Sequence, residues 1–115
     1  NLNILLLGLS YKKNIEDDRE SPTYEFMKIL NKKKINYDYS DPYFAKIRKG
    51  RQTSENKKSI VINKNNLAKY DAIILLTDHD SFNYNMIAKY SKLIFDTKGK
   101  FKDPKLKKYK NIIFC

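Results

Sequence analysis

The sequence predicts a doubly wound α/β fold, in which a mainly parallel sheet of five or six strands carries helices on both faces. Two segments of strand length, residues 3–9 and 71–77, have unbroken apolar centres and indicate central strands that are buried on both faces. Segments with a helical pattern lie between the predicted strands. This alternation requires parallel pairing, because each crossover returns the chain to the same end of the sheet.

The first predicted helix has a clear start. After the strand at residues 3–9 and a polar loop, Ser21 is suited to cap a helix and Pro22 to occupy its first position. Tyr24 and Met27 follow with helical spacing. We therefore expect a helix from Pro22 to about Lys34.

The remaining predicted elements follow in short segments. The strands cover residues 35–40, 59–62, 71–77, 92–95 and, as a last edge strand, 111–114. The helical segments cover residues 65–70, as one or two turns, and 83–90. Polar stretches at 44–58 and 102–110 separate these elements, and the first is predicted to be a solvated excursion with at most one helical turn.

Ligands of open α/β sheets bind at the carboxyl ends of the strands, where helix N-termini also point backbone N–H groups toward anions. Three predicted loops meet at this edge: residues 9–20, 77–82 and 96–101. Lys12, Lys13 and Arg19 add positive charge to the first of them. These loops are the candidate site.

Length and composition indicate a single globular domain with its own core, because 41% of the 115 residues are hydrophobic. The formal net charge of +11 suits polyanions, anionic lipids or phosphorylated small molecules and does not choose among them. The one cysteine, Cys115, excludes an internal disulfide framework and a cysteine cluster for zinc, and no metal site is expected. Neither a signal peptide nor an apolar run long enough for a membrane span is visible.

The sequence carries no complete catalytic or cofactor motif. Gly8 is the only glycine near the first loop, so the fold is predicted to be Rossmann-like without the dinucleotide fingerprint G-x-G-x-x-G. His79 is either a general base or, as we favour, a loop histidine that makes a structural hydrogen bond. Cys115 has no neighbouring base to activate it. We therefore assign no catalytic residue.

The stretch from Gly8 to Pro22 resembles a known family. It reads GLSYKKNIEDDRESP and is similar to the signature G-x-[AS]-[FY]-K-x-x-x-x-D-x-R-x-S-P of the carboxyl-terminal, UDP-binding domain of the UDP-glucose and GDP-mannose dehydrogenase family. Residues 41–43 match its D-P-Y, residues 71–77 its D-A-[IV]-[IV]-[IVL]-x-T strand, and residues 96–98 its D-[TG]-R loop. The segment TDHDSF at 77–82 is more similar to the enzymes that oxidise UDP-N-acetylhexosamines than to UDP-glucose enzymes.

This resemblance implies that residues 1–115 are the nucleotide-sugar-binding domain of a longer, NAD-dependent UDP-sugar 6-dehydrogenase, which oxidises the C6 hydroxyl to a carboxylate. The substrate would be a UDP-N-acetylhexosamine or UDP-glucose. The NAD-binding and central dimerisation domains would lie elsewhere in a cytoplasmic, homodimeric enzyme. The domain alone is therefore expected neither to bind NAD nor to be catalytic.

The same resemblance indicates four binding residues. Tyr11 and Lys12 are expected to contact the nucleotide-sugar, and Lys98 stands where the family has an arginine that reaches the substrate. Lysine offers a point charge instead of the two-pronged phosphate clamp of arginine. Arg19 matches the signature arginine, and it either touches the ligand or braces the loop against the acidic residues before it.

A second function is open at this point: a stand-alone basic module that binds a nucleotide or RNA. It is indicated by the net charge and by aromatic residues interleaved with lysines at 37–51 and 101–109. No nucleic-acid-binding motif is recognisable. We therefore expect neither nucleic acid nor a membrane as the partner.

Overall fold

Five parallel strands form the centre of the molecule in the computed structural model, which describes residues 2–47 and 57–115. The strands are β1 (Asn3–Leu7), β2 (Asn36–Ser40), β3 (Ala72–Leu75), β4 (Ile94–Asp96) and β5 (Ile112–Phe114). The helices are α1 (Pro22–Lys32), α2 (Lys64–Leu67) and α3 (Tyr84–Tyr90), and 3₁₀ turns cover Lys100–Lys102 and Pro104–Leu106. Within the ranges described, no helix combines the length and apolar character needed to cross a membrane.

The strand order is β2-β1-β3-β4-β5, and each neighbouring pair is parallel. Leu5 of β1 lies opposite Asp38 of β2 and Ile73 of β3. The chain first moves from β1 to one side and then returns to the other side of it, so the direction of winding reverses between β1 and β3. This reversal is the switch point at which such sheets open a crevice. The α/β prediction is confirmed, and the loops after β1 and β3 meet at one edge.

Helices cover both faces of the sheet, as predicted. Consecutive residues of β1 point to opposite faces, so Leu5 joins one core cluster and Leu6 the other. Met27 of α1 packs in the cluster of Leu6, whereas Leu67 of α2 and Ile87 of α3 pack in the cluster of Leu5. All five side chains are fully buried. This packing holds the strand ends in place beneath the candidate site.

Helix α1 starts where the sequence predicts and ends two residues earlier than expected. The Ser21 side chain accepts a backbone hydrogen bond and caps the helix. At the other end the helix stops at Lys32, because Lys34 adopts a left-handed conformation with φ of 58°. The N–H of Ile35 then donates to the carbonyl of Leu30 at 2.9 Å, as in a Schellman motif.

The strand predicted at residues 59–62 is wrong. This segment forms an isolated parallel bridge with Tyr39 but no ladder, and the N–H of Ile60 donates to the Tyr39 carbonyl at 2.9 Å. The Ile60 carbonyl accepts from the Ser40 hydroxyl at 2.8 Å instead of from a strand backbone. Ile60 and Ile62 pack against the cluster of Leu5 and Val61 between them is 67% exposed, so what the segment lacks is a continuous backbone ladder with β2. In the described part of the chain, the sheet therefore has five strands.

The excursion predicted at residues 44–58 lies mostly at 48–56, outside the described residues. Its two flanks meet in an antiparallel bridge between Lys46 and Lys58. The polar stretch predicted at 102–110 carries the second 3₁₀ turn, and it leads into β5.

Candidate functional site

The site begins where β1 ends against β3. Gly8 has a φ of 103°, and a Cβ added to it would lie 2.4 Å from the Cβ of Thr77. Only glycine tolerates both the conformation and the close approach. The Thr77 hydroxyl donates to the Ser10 carbonyl at 2.9 Å, and the Thr23 hydroxyl donates to the Gly8 carbonyl at 2.7 Å. The loop after β1 therefore leaves the sheet in a direction set by its neighbours.

The carboxylate of Asp41, directly after β2, is the anchor of this edge. Its side chain is fully buried. It accepts hydrogen bonds from the N–H groups of Leu9 (2.6 Å), Ser10 (2.9 Å) and Tyr43 (2.8 Å), and from Nε2 of His79 (2.8 Å). Burial raises the pKa of this carboxyl, but the His79 bond and the three backbone donors lower the pKa by more, to below its ordinary value. Asp41 is therefore an ionised group held by donors.

His79 connects this anchor to the first loop. The imidazole is fully buried, with the rings of Tyr43 and Phe82 at centroid distances of 5.0 and 5.4 Å. Its Nδ1 accepts the backbone N–H of Asn14 at 2.8 Å, so Nδ1 carries no proton. The proton of the neutral ring then lies on Nε2 and is donated to Asp41. This arrangement agrees with the structural role that we favoured for His79.

Asn14 docks the first loop on the loop after β3. Besides its bond to His79, its side-chain amide donates to the Asp80 carboxylate at 2.7 Å, and its side-chain oxygen accepts the Asp80 N–H at 2.9 Å. Its φ of 61° is a left-handed conformation that asparagine adopts more readily than most residues. Lys13 adds an ion pair to Asp80 at 3.6 Å. The middle of the first loop is therefore held against the loop that follows β3.

Residues 11–13 form an arch between two fixed points, Ser10 and Asn14. The N–H of Tyr11 donates to the Asp17 carbonyl at 2.5 Å, which closes the loop behind the arch. The Tyr11 side chain is 46% exposed, and the Lys12 ammonium lies 5.9 Å from the centre of the Tyr11 ring. The arch thus presents an aromatic ring and a cation to solvent, and contact of these two residues with a nucleotide-sugar stays a prediction.

The Arg19 guanidinium pairs with the Asp17 carboxylate through two contacts, from Nε at 3.0 Å and from Nη2 at 2.9 Å. Its side chain is 76% exposed. Arg19, Asp17, Tyr11 and Glu20 line a shallow depression of about 360 Å³ beside the arch. Of the two roles left open for Arg19, bracing the loop is what this geometry displays.

Lys98 lies on the separate loop after β4. The buried Asp96 carboxylate shapes this loop by accepting the N–H groups of Lys98, Gly99 and Phe101, each at 2.8 Å. Among the described residues, no hydrogen bond, ion pair or ring contact joins Lys98 to Tyr11, Lys12 or Arg19. Lys98 therefore shares the carboxyl edge with the arch without touching it.

The cations of this edge differ in what they are paired with. Lys13 and Arg19 are bound to carboxylates, whereas neither Lys12 nor Lys98 forms an ion pair with any residue that the structure describes. Both ammonium groups are exposed. Lys12 and Lys98 are therefore the two cations of the predicted set that an added anion meets without first displacing a carboxylate.

A second cleft of about 290 Å³ opens near the end of β2. It is lined by Ser40, Asp41, Pro42, Ser59, Ile60, Ile62, Ser81, Phe82, Asn83 and Met86. Of the described residues that line it, Asp41 is the only charged one, and its oxygens are already bonded. The described lining thus offers a negatively charged ligand no cation, whereas the arch offers Lys12.

Neither Cys115 nor the His, Asp and Glu side chains of the described residues gather into a possible metal site. Cys115 is exposed at the end of β5, and its N–H donates to the Asp96 carbonyl at 3.0 Å. No group of three or more metal-ligating side chains occurs within residues 2–47 and 57–115.

Sequence reasoning identified the exposed residues of the arch but missed the groups that hold it. Asp41 and Asp96 were read only as parts of motifs, and Asn14 was not singled out. A signal was present, because each aspartate stands at the end of a strand, where a carboxylate meets the N–H groups of the turning chain. Which N–H groups it meets depends on the packing of separate loops.

Comparison with known proteins identifies the family of the chain. A family model described as "UDP-glucose/GDP-mannose dehydrogenase family, UDP binding domain" matches residues 5–103. The chain belongs to this family. Its UDP binding domain thus includes the arch, the Asp41–His79 pair and the Lys98 loop.

Two curated relatives of the domain are each named UDP-N-acetyl-D-mannosamine dehydrogenase. The protein from Pyrococcus horikoshii is 31% identical over 106 residues, and the match covers 88% of this chain and 22% of the relative. The protein from Methanococcus vannielii is 32% identical over 104 residues, covering 84% of this chain and 22% of the relative. The chain thus spans about a fifth of the length of these relatives.

Solved structures of dehydrogenases share the fold of the domain. The UDP-D-ManNAc dehydrogenase of Pyrococcus horikoshii has a TM-score of 0.68 at 28% identity, and the match covers 99% of this chain and 25% of that protein. The NDP-N-acetyl-D-galactosaminuronic acid dehydrogenase of Methanosarcina mazei has a TM-score of 0.69 at 20% identity and covers 100% and 24%, respectively. The second likeness concerns the fold alone. Both matches agree with the α/β topology described above.

Proposed function

We propose that the domain binds the UDP part of a UDP-sugar at the arch of residues 11–13, as one part of an NAD-dependent UDP-sugar 6-dehydrogenase. The observation that carries this proposal is the family match, which spans all three loops of the carboxyl edge. The family match and the curated relatives support this function and not the alternative of a basic RNA-binding module.

The proposed contacts follow from exposure and charge. Lys12, which forms no ion pair with a described residue, offers its ammonium for a charge-assisted hydrogen bond to a phosphate oxygen. The exposed Tyr11 ring offers a stacking surface to the nucleotide. Lys98 is proposed to approach the same ligand from the β4 loop, and Arg19 to contact it only if it exchanges its bond with Asp17.

The proposed substrate is a UDP-N-acetylhexosamine. The relatives at 31% and 32% identity are named for UDP-N-acetyl-D-mannosamine, and the segment TDHDSF at 77–82 is in keeping with that class. UDP-glucose is the competing substrate. The complete reaction would oxidise the C6 hydroxyl to a carboxylate by two hydride transfers, each to one NAD, with water supplying the second carboxylate oxygen.

The remaining parts of such an enzyme are also proposals. Residues 1–115 are taken as a single nucleotide-sugar-binding domain of a longer chain, which works with an NAD-binding domain and a central dimerisation domain in a cytoplasmic homodimer. The domain itself lacks the dinucleotide fingerprint. We therefore expect NAD to bind to the other part of the enzyme.

Titration of the ¹⁵N-labelled chain with UDP, followed by NMR, tests the proposal. We expect weak, saturable binding with the largest shift changes at residues 10–19 and 97–99, because an open edge encloses only part of the ligand. Uridine, which lacks the diphosphate, is the matched control and should bind more weakly. UDP binding without changes in these loops would contradict the proposed site.

The same chain should be titrated with single-stranded RNA at two salt concentrations. Binding to RNA that is tighter than binding to UDP and falls steeply with salt would favour the alternative module. Weak binding to RNA beside saturable binding to UDP is the outcome that we expect.

A further inference from the structure

We propose that His79, as the neutral tautomer with its proton on Nε2, is the positioning residue of the nucleotide-sugar site. It would set the place of Tyr11 and Lys12 by holding the backbone of Asn14. This inference rests on the proposed function, because it assumes that the arch binds UDP. His79 itself touches no ligand in this proposal, since its side chain is fully buried.

The first step of the argument is the position of His79 between three loops. Its ring joins Asp41, which follows β2, to Asn14, which lies on the loop after β1. Its own backbone belongs to the loop after β3, and its carbonyl accepts the hydroxyl of Tyr84 at 2.6 Å. One side chain thus fixes the relative position of the loops on both sides of the switch point.

The second step concerns the arch. The Ser10 end makes no direct bond to His79, because the Asp41 carboxylate accepts the Ser10 N–H and the Thr77 hydroxyl donates to the Ser10 carbonyl. At the other end, the Asn14 N–H is held by Nδ1 of His79. Three residues lie between these points, so a shift of the Asn14 backbone must move the Lys12 side chain. The Asp80 contacts of Asn14 involve an exposed side chain and restrain the backbone less directly.

The third step is that the two ring nitrogens have separate tasks. Nε2 donates to the buried Asp41 carboxylate, and this bond stabilises the fold. Nδ1 accepts the Asn14 N–H, and this bond positions the arch. Asparagine places an amide oxygen near the position of Nδ1, and glutamine reaches with its amide N–H toward the position of Nε2. His79→Asn can therefore keep the bond to Asn14, and His79→Gln can keep the bond to Asp41.

The two variants form a matched pair that separates positioning from stability. The UDP dissociation constant should be measured for the full-length protein. The free energy of unfolding should be measured in urea on the same samples. In His79→Gln we expect UDP affinity to fall about tenfold, the effect of one lost backbone hydrogen bond at the arch. In His79→Asn we expect UDP affinity within about threefold of wild type. We expect the free energy of unfolding to fall more in this variant than in His79→Gln.

Two NMR observations give readouts that a merely structural histidine would not link to binding. The ring ¹⁵N shifts of His79 should show Nδ1 without a proton and Nε2 protonated. Amide exchange of Asn14 should be about tenfold faster in His79→Gln than in His79→Asn.

Wild-type affinity in His79→Gln, a protonated Nδ1 in the wild-type ring, or equal Asn14 exchange in the two variants would each overturn the inference. Failure of the proposed function is distinguishable from these results. If the wild-type protein bound no UDP, the arch would not be the nucleotide site and the binding role of His79 would fall with it. The Asn14 exchange rates would still decide whether His79 holds the loop.

Discussion

Replacement of Asp41 by asparagine tests the anchor on which the carboxyl edge depends. The change keeps the shape of the side chain and removes its charge. One carboxylate oxygen accepts from Leu9, Ser10 and His79, and the other accepts from the N–H of Tyr43. An asparagine has one oxygen, so its NH₂ group must face a donor whichever way the amide turns.

The least costly orientation puts the amide oxygen toward the three donors and the NH₂ group toward Tyr43. The Tyr43 bond is then lost, and hydrogen bonds to a charged group, worth about 1.5–3 kcal/mol each, become neutral ones worth about 0.5–1.5 kcal/mol. The neutral amide is easier to bury, which offsets part of this loss. We expect Asp41→Asn to lower the free energy of unfolding by about 2–4 kcal/mol at neutral pH.

Urea unfolding as a function of pH is the assay. The pKa of Asp41 lies below 3.8 in the folded state, so its stabilising contribution is present above pH 3.8 and is lost as the pH falls through the folded pKa. The difference in unfolding free energy between wild type and Asp41→Asn should therefore be constant at neutral pH and shrink in acid. A difference below about 1 kcal/mol at pH 7, or one that does not shrink in acid, would refute the reasoning.

Three further predictions concern the arch and its edge. Lys12→Ala should weaken UDP binding by the complete enzyme about ten- to a hundredfold, because one charge-assisted hydrogen bond is lost. The melting temperature should stay nearly unchanged. Lower stability with intact affinity would instead show that Lys12 braces the loop. Lys98→Arg should tighten UDP binding by up to about tenfold in a calorimetric titration, because arginine restores a two-pronged contact; unchanged affinity would place Lys98 away from the phosphates. Gly8→Ala should lower the free energy of unfolding, measured in urea, by about 3 kcal/mol or more, because the added Cβ would lie 2.4 Å from the Cβ of Thr77. A loss below about 1 kcal/mol would show that the strands can separate there.

Several parts of the fold could be predicted because local patterns carry them. The run at 72–76 is apolar throughout, and such a strand is stable only between two covered faces, as β3 is. The start of α1 follows from Ser21 and Pro22, whose effects need no distant partner. The strand predicted at 59–62 failed although its isoleucines pack against the core, because its pairing with β2 stops after one bridge and the Ile60 carbonyl bonds to the Ser40 hydroxyl.

The predictions for the candidate binding residues differ in the same way, according to whether a local pattern or a distant contact decides the outcome. Tyr11 and Lys12 are exposed and stand in a motif, so the sequence identified them as candidates, and their part in binding stays a prediction. The pairing of Arg19 with Asp17 is local in sequence and was one of two open alternatives. Lys98 was grouped with the others, and the structure gives it a separate loop shaped by Asp96.

By itself, the sequence determined the α/β class, the parallel sheet, the edge at which the loops after the strands meet and the family signature at residues 8–22, because each follows from local periodicity, strand ends or adjacent letters. The tertiary structure decided which groups hold that edge. Asp41 lies 31 residues from Ser10 in the chain, and Asn14 lies 65 residues from His79. Such bonds form only when parallel strands bring distant loops together, and no local pattern encodes the partner that a buried carboxylate or imidazole will meet.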